Sequence, residues 1–423
     1  MAVISGRVGS ARTAEDQVRR VGWGFILLYT LAYLSTCLVL IAPLLVTLAL
    51  KVNSLVGIEQ APSRLALVAG IGGLVAMVCN PFFGKLSDRT TSRLGMRRPW
   101  MVVGLVGGSL GILVVAVAPN ILVVLVGWCT AQLFFNALLA VQVAVLPDQV
   151  PATQRGVVAG VLGVCLPIAS VSGTFFVKLF TGNQLAMFLA PCVIGGFFIL
   201  LFAVVLDDRR LNKADRPPWS LREFAGTFYV SPRKNPDFAW AFVSRFLFVL
   251  AYAFLFTYQA YYLLEKIGSA EADVPRQIFL GTLIQSSVIV VASLVGGRLS
   301  DWTGRRKVFV LSASIVYGLA MLVIGVAVSV NGYLIGMAIG GLGFGIYMAV
   351  DLALVVDVLP DKANAAKDLG VLNIAGALPG SVAAAIAPAI LAVGGGSYGV
   401  LYGVAGVCAI VGAFAILPVK SAR

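Results

Sequence analysis

No histidine occurs anywhere in the 423 residues. That absence removes the imidazole proton relay, the histidine-ligated zinc site and the Ser–His or Cys–His catalytic pair from consideration. Charge is scarce too: Asp, Glu, Lys and Arg make up 12% of the chain while 60% is hydrophobic, so a soluble fold of this length could not bury its apolar surface. Cysteine is sparse and unpatterned. Cys37, Cys79, Cys129, Cys165, Cys192 and Cys408 fall inside apolar runs at no metal-like spacing and read as small packing residues. The absence of Asn-x-Ser/Thr sequons and of a large polar domain points to a prokaryotic plasma membrane. Residues 1–22 carry Arg7, Arg12, Arg19 and Arg20 without an apolar core or small-residue cleavage site, which reads as a cytoplasmic tail, not a signal peptide.

What the chain does have is a series of apolar runs, each long enough to cross a hydrocarbon core of about 30 Å. Breaks at charged clusters and prolines divide it into twelve spans, beginning near Trp23, Ser63, Trp100, Asn120, Gly156, Gln184, Phe238, Arg276, Val308, Asn331, Leu369 and Ser397. The formal charge of +13 is distributed by topology. With the N-terminus inside, only Lys51, Arg64, Lys178, Lys266 and Arg276 fall on the outer side, which is the positive-inside pattern and puts both termini in the cytoplasm. The expected partners are therefore the lipid bilayer and a small-molecule substrate, with no nucleic acid, and a monomer is the expected functional unit.

The chain also repeats itself. Gly84-Lys85-Leu86-Ser87-Asp88 and Gly297-Arg298-Leu299-Ser300-Asp301 stand 213 positions apart, and so do Leu146-Pro147-Asp148 and Leu359-Pro360-Asp361. Two landmarks in one register define a duplication, and six spans per copy give parallel halves. The expected divisions are an N-terminal tail (1–22), a first bundle (23–206), a cytoplasmic linker (207–237), a second bundle (238–418) and a short tail (419–423). The linker is rich in Pro and charge, with an amphipathic stretch expected around residues 219–229.

Extended, the first motif reads G-K-L-S-D-R-T-T-S-R-L-G-M-R-R-P and the second G-R-L-S-D-W-T-G-R-R-K. Both resemble the loop signature of the major facilitator superfamily, and the wording of the first copy is most similar to the sucrose-transporter and glycoside-pentoside-hexuronide symporter branches. The resemblance implies an all-α membrane protein, twelve transmembrane helices in two pseudo-symmetric six-helix bundles that rock about a central site. It also implies that the motif residues latch the cytoplasmic ends of helices across the half interface. Carried over by position, the gate candidates are Gly84, Asp88, Arg89, Arg97, Arg98, Gly297, Asp301, Arg305 and Arg306. A span-end glycine permits a close turn, and forked arginines suit carboxylates, with Asp148, Asp361 and Asp368 as partners and Arg155 as a further donor.

Polar residues inside the spans bear on cargo. Arg245, Tyr252 and Gln259 are spaced by seven and share a helix face, as do Tyr347 and Asp351, Tyr29, Tyr33 and Thr36, and Gln132 and Asn136. They lie on spans 1, 4, 7 and 10, which the resemblance implies line the central cavity. Arg245 and Asp351 lie at similar depth, where an unpaired charge is expensive, so they are expected to pair and to serve as the proton-coupling element. Tyr261 and Tyr262 read as interfacial belt residues. Pro43, Pro167 and Pro379 are expected to bend spans 1, 5 and 11.

The expected function is secondary active transport of a small solute by alternating access, as a proton-coupled sugar or glycoside importer. The alternatives are a proton-coupled exporter of drugs or metabolites and, in another class, a membrane-embedded enzyme, for which no nucleophile motif stands in a suitable context. No cofactor is expected beyond a proton gradient. The relatives' sodium route uses acids in the first half, and spans 1 to 6 here hold none.

Overall fold

The computed structural model describes residues 20–211, 232, 233, 235–357 and 365–419. Within them the regular structure is helical, and eleven stretches are long and apolar enough to cross a membrane; a twelfth apolar helix, Tyr398–Phe414, is shorter. The fold is an all-α pair of helical bundles. The expected amphipathic stretch at 219–229 lies outside the described residues.

The first span is α1 (Trp23–Ala42), a π-helical turn (Pro43–Thr47) and α2 (Leu48–Val56). Proline at position 43 cannot donate an i→i−4 bond, and the π-helical turn begins at it. There follow α3 (Ala61–Ser87), α4 (Arg98–Val117) and α5 (Ile121–Gln149). The fifth span is broken into α6 (Ala152–Gly163) and α7 (Cys165–Leu179), just ahead of Pro167, and α8 (Gln184–Val205) completes the half. Asn120 and Asn183 start α5 and α8 by accepting from Val123 N at 3.0 Å and Ala186 N at 3.1 Å.

The second half runs α9 (Pro236–Tyr261) with a π-helical end (Tyr262–Lys266), α10 (Val274–Thr303) and α11 (Arg306–Val326). It closes with α12 (Val330–Asp357), α13 (Ala365–Val393) and α14 (Tyr398–Ala415). Pro379 lies inside α13, whose helical hydrogen bonding continues past it.

The duplication is visible in the backbone. First helices begin at Trp23 and Pro236 and second helices at Ala61 and Val274, in each case 213 residues apart. Gly182 and Gly395, both with left-handed φ (95° and 62°), reverse the chain after the fifth and eleventh spans, and 395 minus 182 is again 213.

The halves meet at the end away from the basic loops. There α3 packs on α13, α7 on α10, and the π turn and α2 on α9. The Tyr261 hydroxyl donates to the Ala49 carbonyl across the seam at 3.0 Å, and Tyr262 donates to Ile324 O at 2.8 Å. Both tyrosines are fully buried, so they are seam and core residues and not an interfacial belt. Lys51 is likewise buried instead of facing outward, its ammonium donating to Ala116 O at 3.0 Å, a carbonyl in the last turn of α4. Toward the basic loops the halves part: Cβ atoms built on Gly156, Gly160 and Gly163 of α6 would meet nothing within 4 Å.

Candidate functional site

The parting halves enclose two cavity lobes. One, of about 820 Å³, lies among α6, α7, α9, α10 and α12; the other, of about 750 Å³, lies among α3, α5, α9 and α13. Under the duplication α3, α5 and the eleventh span correspond to α10, α12 and the fifth, so the lobes are themselves pseudo-symmetric. Tyr252 and Phe256 line both and stand at their junction, with rings 5.4 Å apart. Polar lining is amide and hydroxyl: Asn80, Gln132 and Asn136 in one lobe, Gln259, Gln285 and Ser286 in the other. Among the described residues no charged side chain lines either lobe.

Helical spacing places Gln132 and Asn136 together, and Asn136 Nδ2 donates to Gln132 Oε1 at 2.9 Å. Gln259 accepts from the Tyr333 hydroxyl at 3.1 Å, which fixes the orientation of its amide toward the lobe. Of the sequence-based cavity candidates, Gln132, Asn136, Tyr252 and Gln259 line the lobes.

Tyr29, Tyr33 and Thr36 are not among the lining residues of either lobe. Tyr29 stacks on Phe202 with centroids 5.3 Å apart and donates to Gln142 O at 2.7 Å. Thr36 bonds back to Ala32 O at 3.2 Å. Their shared face packs inside the first bundle, and Leu44 and Leu45 represent the first span in the lobes instead. Tyr347 also packs instead of lining, its ring stacked on Phe248 at 3.6 Å and 7°.

Arg245 and Asp351 come together as their depth requires: Nη1 lies 2.6 Å from Oδ2. The Asp351 side chain is 8% exposed and that of Arg245 19%. Arg245 Nε is buried without a partner among the described residues, and Nη2 lies 3.7 Å from where a Cβ on Gly376 would stand, beside the second lobe. The pair thus adjoins the cavity without lining it.

At the basic-loop end the first motif forms a closed cluster. Arg97, its side chain 5% exposed, reaches Asp88 at 2.6 Å and Asp148 at 2.9 Å and also donates to the Ser87 hydroxyl. Burial works against the guanidinium's charge, but Asp148 and Asp88 more than offset it and hold its proton above the ordinary arginine range. All four groups belong to α3, α4 and α5 or their caps, so the cluster clamps one bundle and does not cross the half interface in this conformation.

Sequence reasoning missed Asp208. Its carboxylate accepts from the backbone N–H of Arg97 at 2.6 Å and of Arg98 at 2.8 Å, supplying the first turn of α4 with the anion its own N-cap residue lacks. Gly95, at φ 107°, permits this approach; a Cβ there would collide with the Asp208 carboxyl. Arg98 is engaged by Leu206 O, and Arg155 donates to Val150 O and Pro147 O, capping the end of α5 instead of binding a carboxylate.

Neither motif glycine makes a turn. Gly84 lies within α3 with open space at its Cβ position, and a Cβ on Gly297 within α10 would meet only Ala349 Cβ, at 3.6 Å. In the second motif the turn belongs to Gly304, whose left-handed φ of 64° ends α10. Arg305 is exposed, and Arg89 and Arg306 are engaged in contacts. Asp361 and the side chains of Asp301 and Asp368 lie outside the described residues.

Two related bundles, closed on one another at one end and parted around a shared cavity at the other, have the architecture of a membrane transporter. The Major Facilitator Superfamily model matches residues 25–384, and the chain belongs to that superfamily. Solved structures agree on the fold. A mutant of the nucleoside transporter NupG superposes with a TM-score of 0.74 at 13% identity, over 93% of this chain and 99% of that one. A POT family transporter in complex with a thioalcohol-conjugated peptide gives 0.71 at 14%, over 93% and 95%. The human organic anion transporter MFSD10 (TETRAN) gives 0.64 at 16%, over 95% and 99%. Among curated proteins, none matches the sequence.

Proposed function

We propose that this chain is a proton-coupled secondary transporter of a small uncharged polar solute, of the sugar or glycoside class, working as a monomeric importer in a prokaryotic plasma membrane. The observation that carries the reading is the lobe lining. Amides and hydroxyls around an aromatic pair, with no charged side chain among the described residues, suit a neutral molecule with hydroxyl groups and an apolar ring face. An organic anion or a zwitterion would lack a counter-charge there.

With the basic loops cytoplasmic by the positive-inside rule, this conformation is the inward-facing one. Asp351 and Arg245 carry the coupling: protonation of the carboxylate releases the guanidinium, and the changed charge at the edge of the cavity biases the rocking equilibrium. In the first bundle's helices the one acid, Asp148, sits in the last turn of α5 and is already held by Arg97.

The test is uptake into proteoliposomes of a panel of neutral sugars, glycosides, organic anions and amphiphilic cations, under imposed pH or sodium gradients. Saturable, pH-driven uptake of a neutral member is the expected result. Transport confined to charged solutes would overturn the reading, and sodium dependence would overturn the coupling assignment.

A further inference from the structure

The two lobes contain a matched pair of unused donors. Trp128 Nε1 of α5 and Gln285 Nε2 of α10 are both buried without a hydrogen-bond partner among the described residues. Trp128 is 2% exposed and Gln285 7%, and each side chain lines its own lobe. Native interiors rarely leave such groups unpaired, and where they do a functional partner is the usual explanation.

The duplication relates the two positions. Gly72 on α3 and Gln285 on α10 are 213 residues apart, and so are Trp128 on α5 and Gly341 on α12. In the first half a glycine on α3 faces a large donor on α5; a Cβ on Gly72 would strike the Trp128 indole nitrogen. In the second half the large donor is on α10 and the glycines are on α12. A Cβ on Gly340 would lie 3.7 Å from Gln285 Nε2, and one on Gly341 would press on the Gln285 backbone. The same helix pair therefore places one buried N–H beside each lobe, with the large and small residues exchanged. Between the two stands the Tyr252–Phe256 junction.

We infer that Trp128 and Gln285 are the paired specificity-determining donors of the cavity, each hydrogen-bonding an acceptor on one end of a single neutral two-ring glycoside that spans the aromatic junction. This rests on the proposed function and narrows it from a neutral polar solute to a two-moiety one. In this structure each N–H lies against its glycine, so engaging a ligand requires the side chain to turn toward the lobe. One lobe has walls from both halves, α3 and α5 facing α9 and α13, and the other is walled by α6 and α7 facing α9, α10 and α12. A molecule held at both ends therefore ties the halves together, whereas a one-ring solute engages one donor.

The experiment compares wild type, Trp128→Phe, Gln285→Met and the double variant in proteoliposomes. The probes are methyl glucoside as the one-ring solute, and sucrose, maltose and nitrophenyl glucoside as two-ring solutes. Loss of a neutral donor–acceptor bond predicts a KM roughly 3- to 10-fold higher for each single variant with a two-ring solute, and the product of the two effects in the double variant. The turnover number changes less than KM, and uptake of methyl glucoside responds to at most one substitution. Unchanged KM in both single variants for a two-ring solute that is transported would overturn the inference while leaving the neutral-solute reading intact. A fall in turnover alone would do the same, marking the side chains as packing elements. Uptake of none of the neutral probes by wild type, with uptake of a charged solute, sinks the parent reading and this inference with it.

Discussion

The seam between α3 and α13 offers the sharpest mechanical test. Gly73 lies against Ser381: a Cβ there would fall on the serine hydroxyl and come within 3.5 Å of its Cβ and 3.7 Å of its Cα. A hydroxyl can rotate away from one methyl group, but the two further methyls of valine meet the α13 backbone itself. Gly70, one turn earlier, is looser, its built Cβ 3.6 Å from Ser381 O and 3.9 Å from Ala384 Cβ, both ordinary contacts. Overpacking of this kind costs about 1–3 kcal/mol. Because the contact exists only when the halves are closed at this end, the whole penalty falls on that conformation. The closed-to-open ratio should drop by roughly 5- to 150-fold in Gly73→Val and stay close to wild type in Gly70→Ala. The readout is labelling by a membrane-impermeant maleimide at Thr47→Cys, which is 2% exposed in the π turn that packs on α9, in a background lacking the native cysteines. Labelling should accelerate by the same factor. An unchanged rate in Gly73→Val, or equal acceleration in Gly70→Ala, would refute the packing argument.

Three further outcomes follow. Asp351→Asn leaves the Arg245 guanidinium without a counter-charge in a nearly buried site and should lower stability by about 3–5 kcal/mol, seen as loss of monodisperse protein on heating; Arg245→Met in the same chain should recover most of it. The single variant should also abolish pH-driven uptake. Tyr261→Phe removes the 3.0 Å bond to Ala49 O, a loss of about 0.5–1.5 kcal/mol that should raise maleimide labelling of the seam roughly 2- to 10-fold. Asp208→Ala strips the anion from the start of α4 and should destabilise by about 1 kcal/mol, read as faster amide exchange at Arg97 and Arg98, whereas Asp208→Asn should retain part of the effect.

How much was legible beforehand differs between levels. Span number and duplication follow from hydropathy and from short motifs at a fixed offset, signals that survive any detail of packing. The Arg245–Asp351 pair was legible for a similar reason, since two charges at equal depth in an apolar medium have few alternatives to one another. The polar stripe of the first span was not. Tyr29, Tyr33 and Thr36 share a face, but periodicity cannot say whether that face turns to the cavity or to α5 and α8, and the Tyr29 hydroxyl found a carbonyl in α5. Tyr261 and Tyr262 were misplaced because a tyrosine near a span end satisfies its hydroxyl equally well at the headgroups or on a carbonyl across a seam. Asp208 could have been found by asking which acid supplies a helix that begins Arg-Pro without its own N-cap. The first motif's arginine was rightly matched to Asp148, while the placement of the cluster within one half depends on which conformation is populated.

The central claim is that the two ends of the molecule open in opposition about one cavity. Spin-label distances test it directly, between positions 60 and 271 at the closed end and between 93 and 305 at the basic-loop end, all four exposed. They are measured in lipid vesicles while pH and a transported neutral solute are varied. The account predicts two distance populations at each end, the longer at one end always accompanying the shorter at the other. Distances that lengthen together, or that stay fixed at both ends while uptake proceeds, would contradict it.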